Sequence, residues 1–248
     1  GGDVTAHTEA TGPGGAEVYA RAGSFPLINV SNTSMAFEAY PAVHGNRIVW
    51  QSQSSTGWEI FLNEFHPTTG GTTKMIGKGE RPAVWSQFIA WENVPDIEVV
   101  DVAGGTTLPA AAGEELRLPV LGGGRIFYER VDVTTGTSEI AYRSLSDLST
   151  EYVLQGPCSS HSRPRVSENG LYVVYTGSGC PDGVQPLYLN YITPTHVQTT
   201  YLIDNLAGVS LAHDELAPYD IDEDVVVYQT DMGAGLQLYS IRIDMTLL

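Results

Sequence analysis

No stretch of this 248-residue chain approaches the roughly 20 consecutive apolar residues needed to span a bilayer, so insertion into a membrane as a helix is excluded. The first residues, Gly1-Gly2-Asp3, show neither a basic region nor an apolar core, and any export signal is expected to have been removed or to lie outside this sequence. Lysine is nearly absent, with only Lys74 and Lys78 among 12 cations, against 29 acidic residues. The resulting formal charge of −17 repels phosphate backbones and anionic lipid, which argues against nucleic acid as a partner. Cysteine is limited to Cys158 and Cys180, 22 residues apart, with no CxxC and no histidine at zinc-finger spacing. A disulfide is the better account of the pair, and it implies an extracellular, cell-surface or periplasmic protein; two unrelated buried thiols are the alternative. Charged residues make up only 17% of the chain and hydrophobic ones 42%, which excludes disorder. Nowhere is a helical period sustained. Also missing are a Gly-x-Ser-x-Gly elbow, a Walker loop, a dinucleotide fingerprint and His-Glu-x-x-His.

What is present is a repeat. A proline, a spacer and an apolar residue lead through a turn into a β-branched pair that ends in an aromatic. The instances are Pro41-Ala42-Val43 to Ile48-Val49-Trp50, Pro82-Ala83-Val84 to Ile89-Ala90-Trp91, and Pro119-Val120-Leu121 to Ile126-Phe127-Tyr128. Pro164-Arg165-Val166 to Val173-Val174-Tyr175 and Pro218-Tyr219-Asp220-Ile221 to Val226-Val227-Tyr228 complete the set. Their openers are spaced by 41, 37, 45 and 54 residues, the length of a four-stranded propeller blade. A second alternating strand follows each opener, as in Glu59-Ile60-Phe61-Leu62, and a fourth strand is legible at Leu27 to Val30, Lys74 to Ile76, Thr107-Leu108, Tyr152 to Leu154 and Tyr201 to Ile203. Residues 4–7 and 17–20 form the same hairpin without its opener. The first blade is therefore expected to lack its inner strand and the last its outer one.

The expected fold class is all-β: one β-propeller domain over residues 1–248 built of four-stranded antiparallel blades starting near residues 1, 41, 82, 119, 164 and 218. Six blades fit better than five, because five would leave residues 1–22 as an unexplained hairpin. The pattern Pro-x-Val, turn, Ile-Val-Trp, loop, Glu-Ile-Phe-Leu resembles the TolB-type β-propeller repeat. The Ser167-Glu168-Asn169-Gly170 turn is similar to that family's Ser-Pro-Asp-Gly turn, while His44-Gly45-Asn46 and Gly122-Gly123-Gly124 depart from it. The resemblance implies the fold and carries no catalytic set. Its relatives include periplasmic and surface binding proteins, propeller gates of prolyl-oligopeptidase-like enzymes and some polysaccharide lyases.

Candidate chemistry sits just ahead of the openers: Glu38, Glu80, Glu114 with Glu115, His161 with Ser162, and His213 with Asp214 and Glu215. In propellers of this kind these loops share one face around the channel mouth, where converging carboxylates with histidine suit Ca²⁺, a basic peptide or acid–base work. Equally, loop positions in so acidic a chain are polar in any case. Cys158 and Cys180 are expected on that same face, stapling a long loop pair. Asp220-x-Asp222-x-Asp224 has the alternation of a calcium loop but falls in a first-to-second-strand turn and lacks the glycine and distal glutamate of an EF-hand. Trp58, Trp85 and Tyr40 are candidates for sugar stacking; Trp50, Trp91, Tyr128, Tyr175 and Tyr228 recur at one repeat position and are expected in the core.

The leading expectation is an exported, monomeric, non-enzymatic propeller that binds a protein or glycan through the loop face. A polysaccharide lyase or glycosidase using His161 and His213 is the enzymatic alternative, and a propeller domain of a larger surface or secreted protein is a third.

Overall fold

The computed structural model describes residues 3–12, 15–33, 36–101, 104–181, 185–205, 219–231 and 236–243. Their regular structure is entirely antiparallel sheet, with no helix among them and hence none long and apolar enough to cross a membrane. The chain divides into two compact units, Gly1–Ala110 and Ala111–Leu248, each holding three sheets. In the first unit, sheet one is β1 (Val4–Gly12), β2 (Gly15–Ala22) and β3 (Ile28–Asn29). Sheet two runs β4 (Glu38–His44), β5 (Arg47–Ser54), β6 (Gly57–Glu64) and β7 (Thr72–Lys78), and sheet three β8 (Glu80–Trp85), β9 (Phe88–Asn93), β10 (Asp96–Asp101) and β11 (Gly104–Leu108).

The second unit opens with sheet four, β12 (Glu114–Gly122), β13 (Arg125–Asp132), β14 (Ser138–Ser144) and β15 (Asp147–Val153). Sheet five is β16 (Ser160–Val166), β17 (Tyr172–Ser178), β18 (Pro186–Ile192) and β19 (Gln198–Asn205), and sheet six β20 (Tyr219–Asp222), β21 (Val225–Asp231) and β22 (Leu236–Arg242). Each sheet is a meander in chain order, and the six together make a six-bladed β-propeller.

Sheets one and six have three strands rather than four among the described residues. Side chains identify which strand is missing from sheet one. Thr73 Oγ1 of β7 donates to the Val30 carbonyl just after β3 (2.9 Å), as Thr200 Oγ1 of β19 donates to the Gln155 carbonyl just after β15 (3.0 Å). β3 thus holds the place of a fourth strand, and among the described residues sheet one lacks the first, as the repeat predicts.

The openers mark a bulge in every complete sheet. Pairing slips between Ala39 and Ala42, Glu80 and Ala83, Arg117 and Val120, and Ser162 and Arg165. The residue before each proline takes a positive φ: Tyr40 at 53°, Arg81 at 52°, Leu118 at 51° and Arg163 at 58°. Proline has no N–H to give a ladder, so it belongs on an edge strand or in a bulge, and here it sits in both.

The repeat aromatics Trp50, Trp91, Tyr128, Tyr175 and Tyr228 are buried, as expected. Trp50 packs with Val18, Ala20 and Phe65 between sheets one and two, and Trp91 with Val49, Ile60 and Leu62 between sheets two and three. Tyr175 joins Phe127, Ile140 and Tyr142 between sheets four and five, and Tyr228 joins Val174, Leu187 and Leu189 between five and six. Gly123, which departs from the family's turn, has a structural reason to be glycine. It has φ 56°, its N–H donates to the Glu168 carbonyl (2.8 Å), and a Cβ there would collide with the Asn169 carbonyl.

Candidate functional site

The first strand of each complete sheet begins beside the hairpin that joins its second and third strands, as the pairings Glu38 with Ser52, Glu80 with Glu92, Glu114 with Asp132 and Ser160 with Ser178 require. The proline bulges lie in this half of the strand. On sheet five that end is covalently closed: Cys158, two residues before β16, forms a disulfide with Cys180, two residues after β17. Cys158 is buried, its sulfur 3.4 Å from the Tyr188 hydroxyl and packed against Gly177, where a side chain would displace it.

His161 lies under this staple. Its side chain is 6% exposed, edge-on to the rings of Tyr175 (5.4 Å) and Tyr188 (6.5 Å), and Gly156 closes over Nε2 so tightly that a Cβ would collide with it. Nε2 has no hydrogen-bond partner, and burial holds the imidazole below the usual histidine range.

Two residues further along β16, the Arg163 amide donates to the Glu129 carboxylate of β13, while Ser138 Oγ donates to the His161 carbonyl at 2.8 Å. Burial pushes Glu129 above the usual carboxylate range, while the Arg163 amide and the charges of Arg117 and Arg163 pull the other way. The Arg163 carbonyl accepts from the Tyr219 hydroxyl at 2.6 Å, tying the bulge into sheet six.

The first unit repeats the device. The Arg81 amide donates to Gln51 Oε1 at 2.6 Å, while the Arg81 guanidinium lies 5.9 Å from the Tyr40 ring and 3.5 Å from Glu92 Oε1. Gln51 and Glu129 each follow a repeat aromatic, and each captures the strained amide of the next sheet's bulge. Their signal was in the sequence: Trp50-Gln51, Trp91-Glu92, Tyr128-Glu129, Tyr175-Thr176 and Tyr228-Gln229 all put a polar residue where a buried strand runs apolar.

The acidic candidates meet different fates. Glu38 is 1% exposed and accepts from the Val18 amide (3.1 Å) and Thr33 Oγ1 (2.8 Å), so its carboxylate is consumed in holding sheet one to β4. Glu80 is exposed at the start of β8. Glu115 is bound by Arg117, and Glu114 lies 3.9 Å from Arg130. Ser162 Oγ meets Thr176 Oγ1 at 3.3 Å. His213, Asp214 and Glu215 lie outside the described residues. Asp220 and Asp222 are exposed on β20, and Asp224 reaches Arg242 at 3.4 Å. Among the described residues no three His, Cys, Asp or Glu side chains gather as a metal site would need. Trp58, Trp85 and Tyr40 are half-buried: Trp58 packs on Phe37, Trp85 lies near His44, and Tyr40 faces Arg81.

No family model and no curated protein sequence matches the chain. Solved structures do match it in fold. TolB from Acinetobacter baumannii superposes with a TM-score of 0.62 at 16% identity, over 92% of this chain and 57% of that one. The fold is that of a TolB-like β-propeller. This TolB-like propeller also resembles a puromycin-hydrolysing peptidase of Mycobacterium tuberculosis (TM-score 0.57, 14% identity, 84% of this chain and 36% of that one). A chain of a nidogen/laminin complex matches it as well (TM-score 0.56, 12% identity, 95% of this chain and 89% of that one). The TolB-like propeller thus spans just over half of the Acinetobacter protein and about a third of the peptidase.

Proposed function

We propose that this TolB-like propeller is an exported binding module that takes a protein partner on the loop end of its sheets, with the stapled loops of sheet five at the centre of the contact. The observation that carries this is the Cys158–Cys180 disulfide, which fixes two loops at the end of sheet five where the strained bulge of β16 lies. Rigid loops lose less entropy on binding, and backbone strain held by tertiary contacts gathers at functional positions. A disulfide also suits an oxidising compartment. A glycan ligand is the competing occupant of the same end. His161 is too enclosed to act as a surface base, which sets the binding reading above lyase chemistry.

The test is a side-by-side screen of the full chain on an array of secreted and envelope proteins and on a glycan array. Protein hits weakened at least about tenfold by Arg163→Ala or by Cys158→Ala/Cys180→Ala, and untouched by Lys74→Ala on an outer strand, support it. Glycan hits alone, or protein hits indifferent to the loop-end changes, overturn it.

A further inference from the structure

Buried polar atoms are as a rule satisfied, and of the four described side-chain atoms that are not, Trp50 Nε1, Asn63 Oδ1, Asn190 Oδ1 and His161 Nε2, only the last belongs to a group that takes up a proton near neutral pH. Every wall of its pocket is fixed except one. Ser160–Val166 and Tyr172–Ser178 are paired along the sheet, and Tyr175 and Tyr188 stack in its interior. The lid is residues 156–159, which is not strand, and Gly156, Pro157 and Ser159 are exposed there, while Gln155 ahead of it is anchored: its N–H donates to Gln198 Oε1 (3.2 Å) and its carbonyl accepts from the Tyr175 hydroxyl (3.2 Å) and Thr200 Oγ1 (3.0 Å). Neutral imidazole tolerates this pocket; an imidazolium would be a buried cation with a second N–H and nothing to receive it.

No neighbour stands ready to compensate that charge. From β14, Glu139 is the acid that acts on His161, and it is engaged by Arg130 of β13 at 2.6 Å. Glu129, also on β13, is held by the Arg163 amide, and Arg163 and Arg165 on β16 itself carry the wrong sign. The strands β17 and β18 present only the rings of Tyr175 and Tyr188.

We infer that His161 is a proton-operated latch: protonation of the buried imidazole lifts residues 156–159, and the Cys158–Cys180 disulfide carries the 179–181 loop with them. The least costly way to hydrate the cation is to move the lid, because Gly156 has no side chain to withdraw and the strands cannot separate without losing their ladders. As Cys158 belongs to the lid, the disulfide makes the two loops respond together. The consequence for a partner, release in acid, rests on the binding function proposed above; the latch itself does not.

The experiment therefore uses the full chain without any partner. Amide hydrogen exchange is followed by mass spectrometry between pH 7.5 and pH 4.5 and corrected for intrinsic rates. Peptides covering 154–159 and 178–181 are expected to lose protection together, with a limiting dependence of about tenfold per pH unit for one linked proton, while β17 stays protected. His161→Phe, which keeps a ring and cannot protonate, is expected to abolish the dependence. If that variant does not fold, His161→Gln provides the second arm: its amide is polar and does not titrate, so the pH dependence is again expected to vanish. Corrected protection that is flat across the range in the wild type, or a pH dependence that persists in His161→Phe or in His161→Gln, overturns the latch whatever the partner screen returns.

Discussion

The guanidinium of Arg125, at the start of β13, donates through Nη1 to the carbonyl of Gly170 at 2.7 Å, in the turn between the first two strands of the next sheet. Its Nη2 reaches the Thr193 carbonyl at 3.2 Å, and the group lies 5.8 Å from the Tyr142 ring. Arg47 at the same repeat position donates to the Ser86 carbonyl at 2.6 Å, so the contact is a periodic clasp between neighbouring sheets within each unit. Arg125→Ala would leave buried carbonyls without a donor and is expected to cost about 2 kcal/mol or more. Arg125→Lys should restore only part of this, since an ammonium lacks the planar fork. Chemical denaturation of the three proteins is the check; equal midpoints would deny the clasp a role in stability.

Glu129 invites the opposite kind of change. Its folded-state pKa is raised above 4.5, chiefly by burial. The unfolded chain therefore releases this proton first as pH rises, and the folded state loses stability as pH climbs from about 4.5 through the folded value. Glu129→Gln keeps an acceptor for the Arg163 amide, as Gln51 does for Arg81, and removes the buried charge. The variant should be more stable than the wild type at pH 7, with the gain shrinking towards pH 4. Urea unfolding at the two pH values measures this, and a loss at pH 7 would mean that the attraction of Arg117 and Arg163 outweighs burial.

Trp91 is a test of the repeat itself. It is almost fully buried, its Nε1 donates to the Lys78 carbonyl at 2.8 Å, and Gly77 is bare so that the ring can lie against the backbone. Trp91→Ala should cost about 3 to 5 kcal/mol, and Gly77→Ala should also destabilise by forcing the ring aside. A thermal melt of each variant gives the answer.

Breaking the Cys158–Cys180 bond should lower stability by about 3 kcal/mol, the chain-entropy value for a loop of its size, with the 22-residue separation setting the scale. Reductant and the double alanine variant are expected to lower the melting midpoint alike. A midpoint indifferent to both would leave the staple with a local role at the binding end only.

The proline, β-branched and aromatic spacing determined the strands, their order in each sheet, the core row from Trp50 to Tyr228 and the partial first and last sheets, because period-2 burial and the edge preference of proline are written directly in residue type. The disulfide was legible from counting alone. The site was legible only in part. Glu38 and Glu80 occupy equivalent places ahead of their openers, yet one is sealed by Val18 and Thr33 while the other faces water, and loop composition does not distinguish them. Likewise, nothing in the string Ser159-Ser160-His161-Ser162 reveals that Gly156 closes over the imidazole. Local pattern sets which backbone groups pair within a sheet, but the burial of a given charge depends on what the neighbouring sheet places against it, and that is decided only when the sheets have packed.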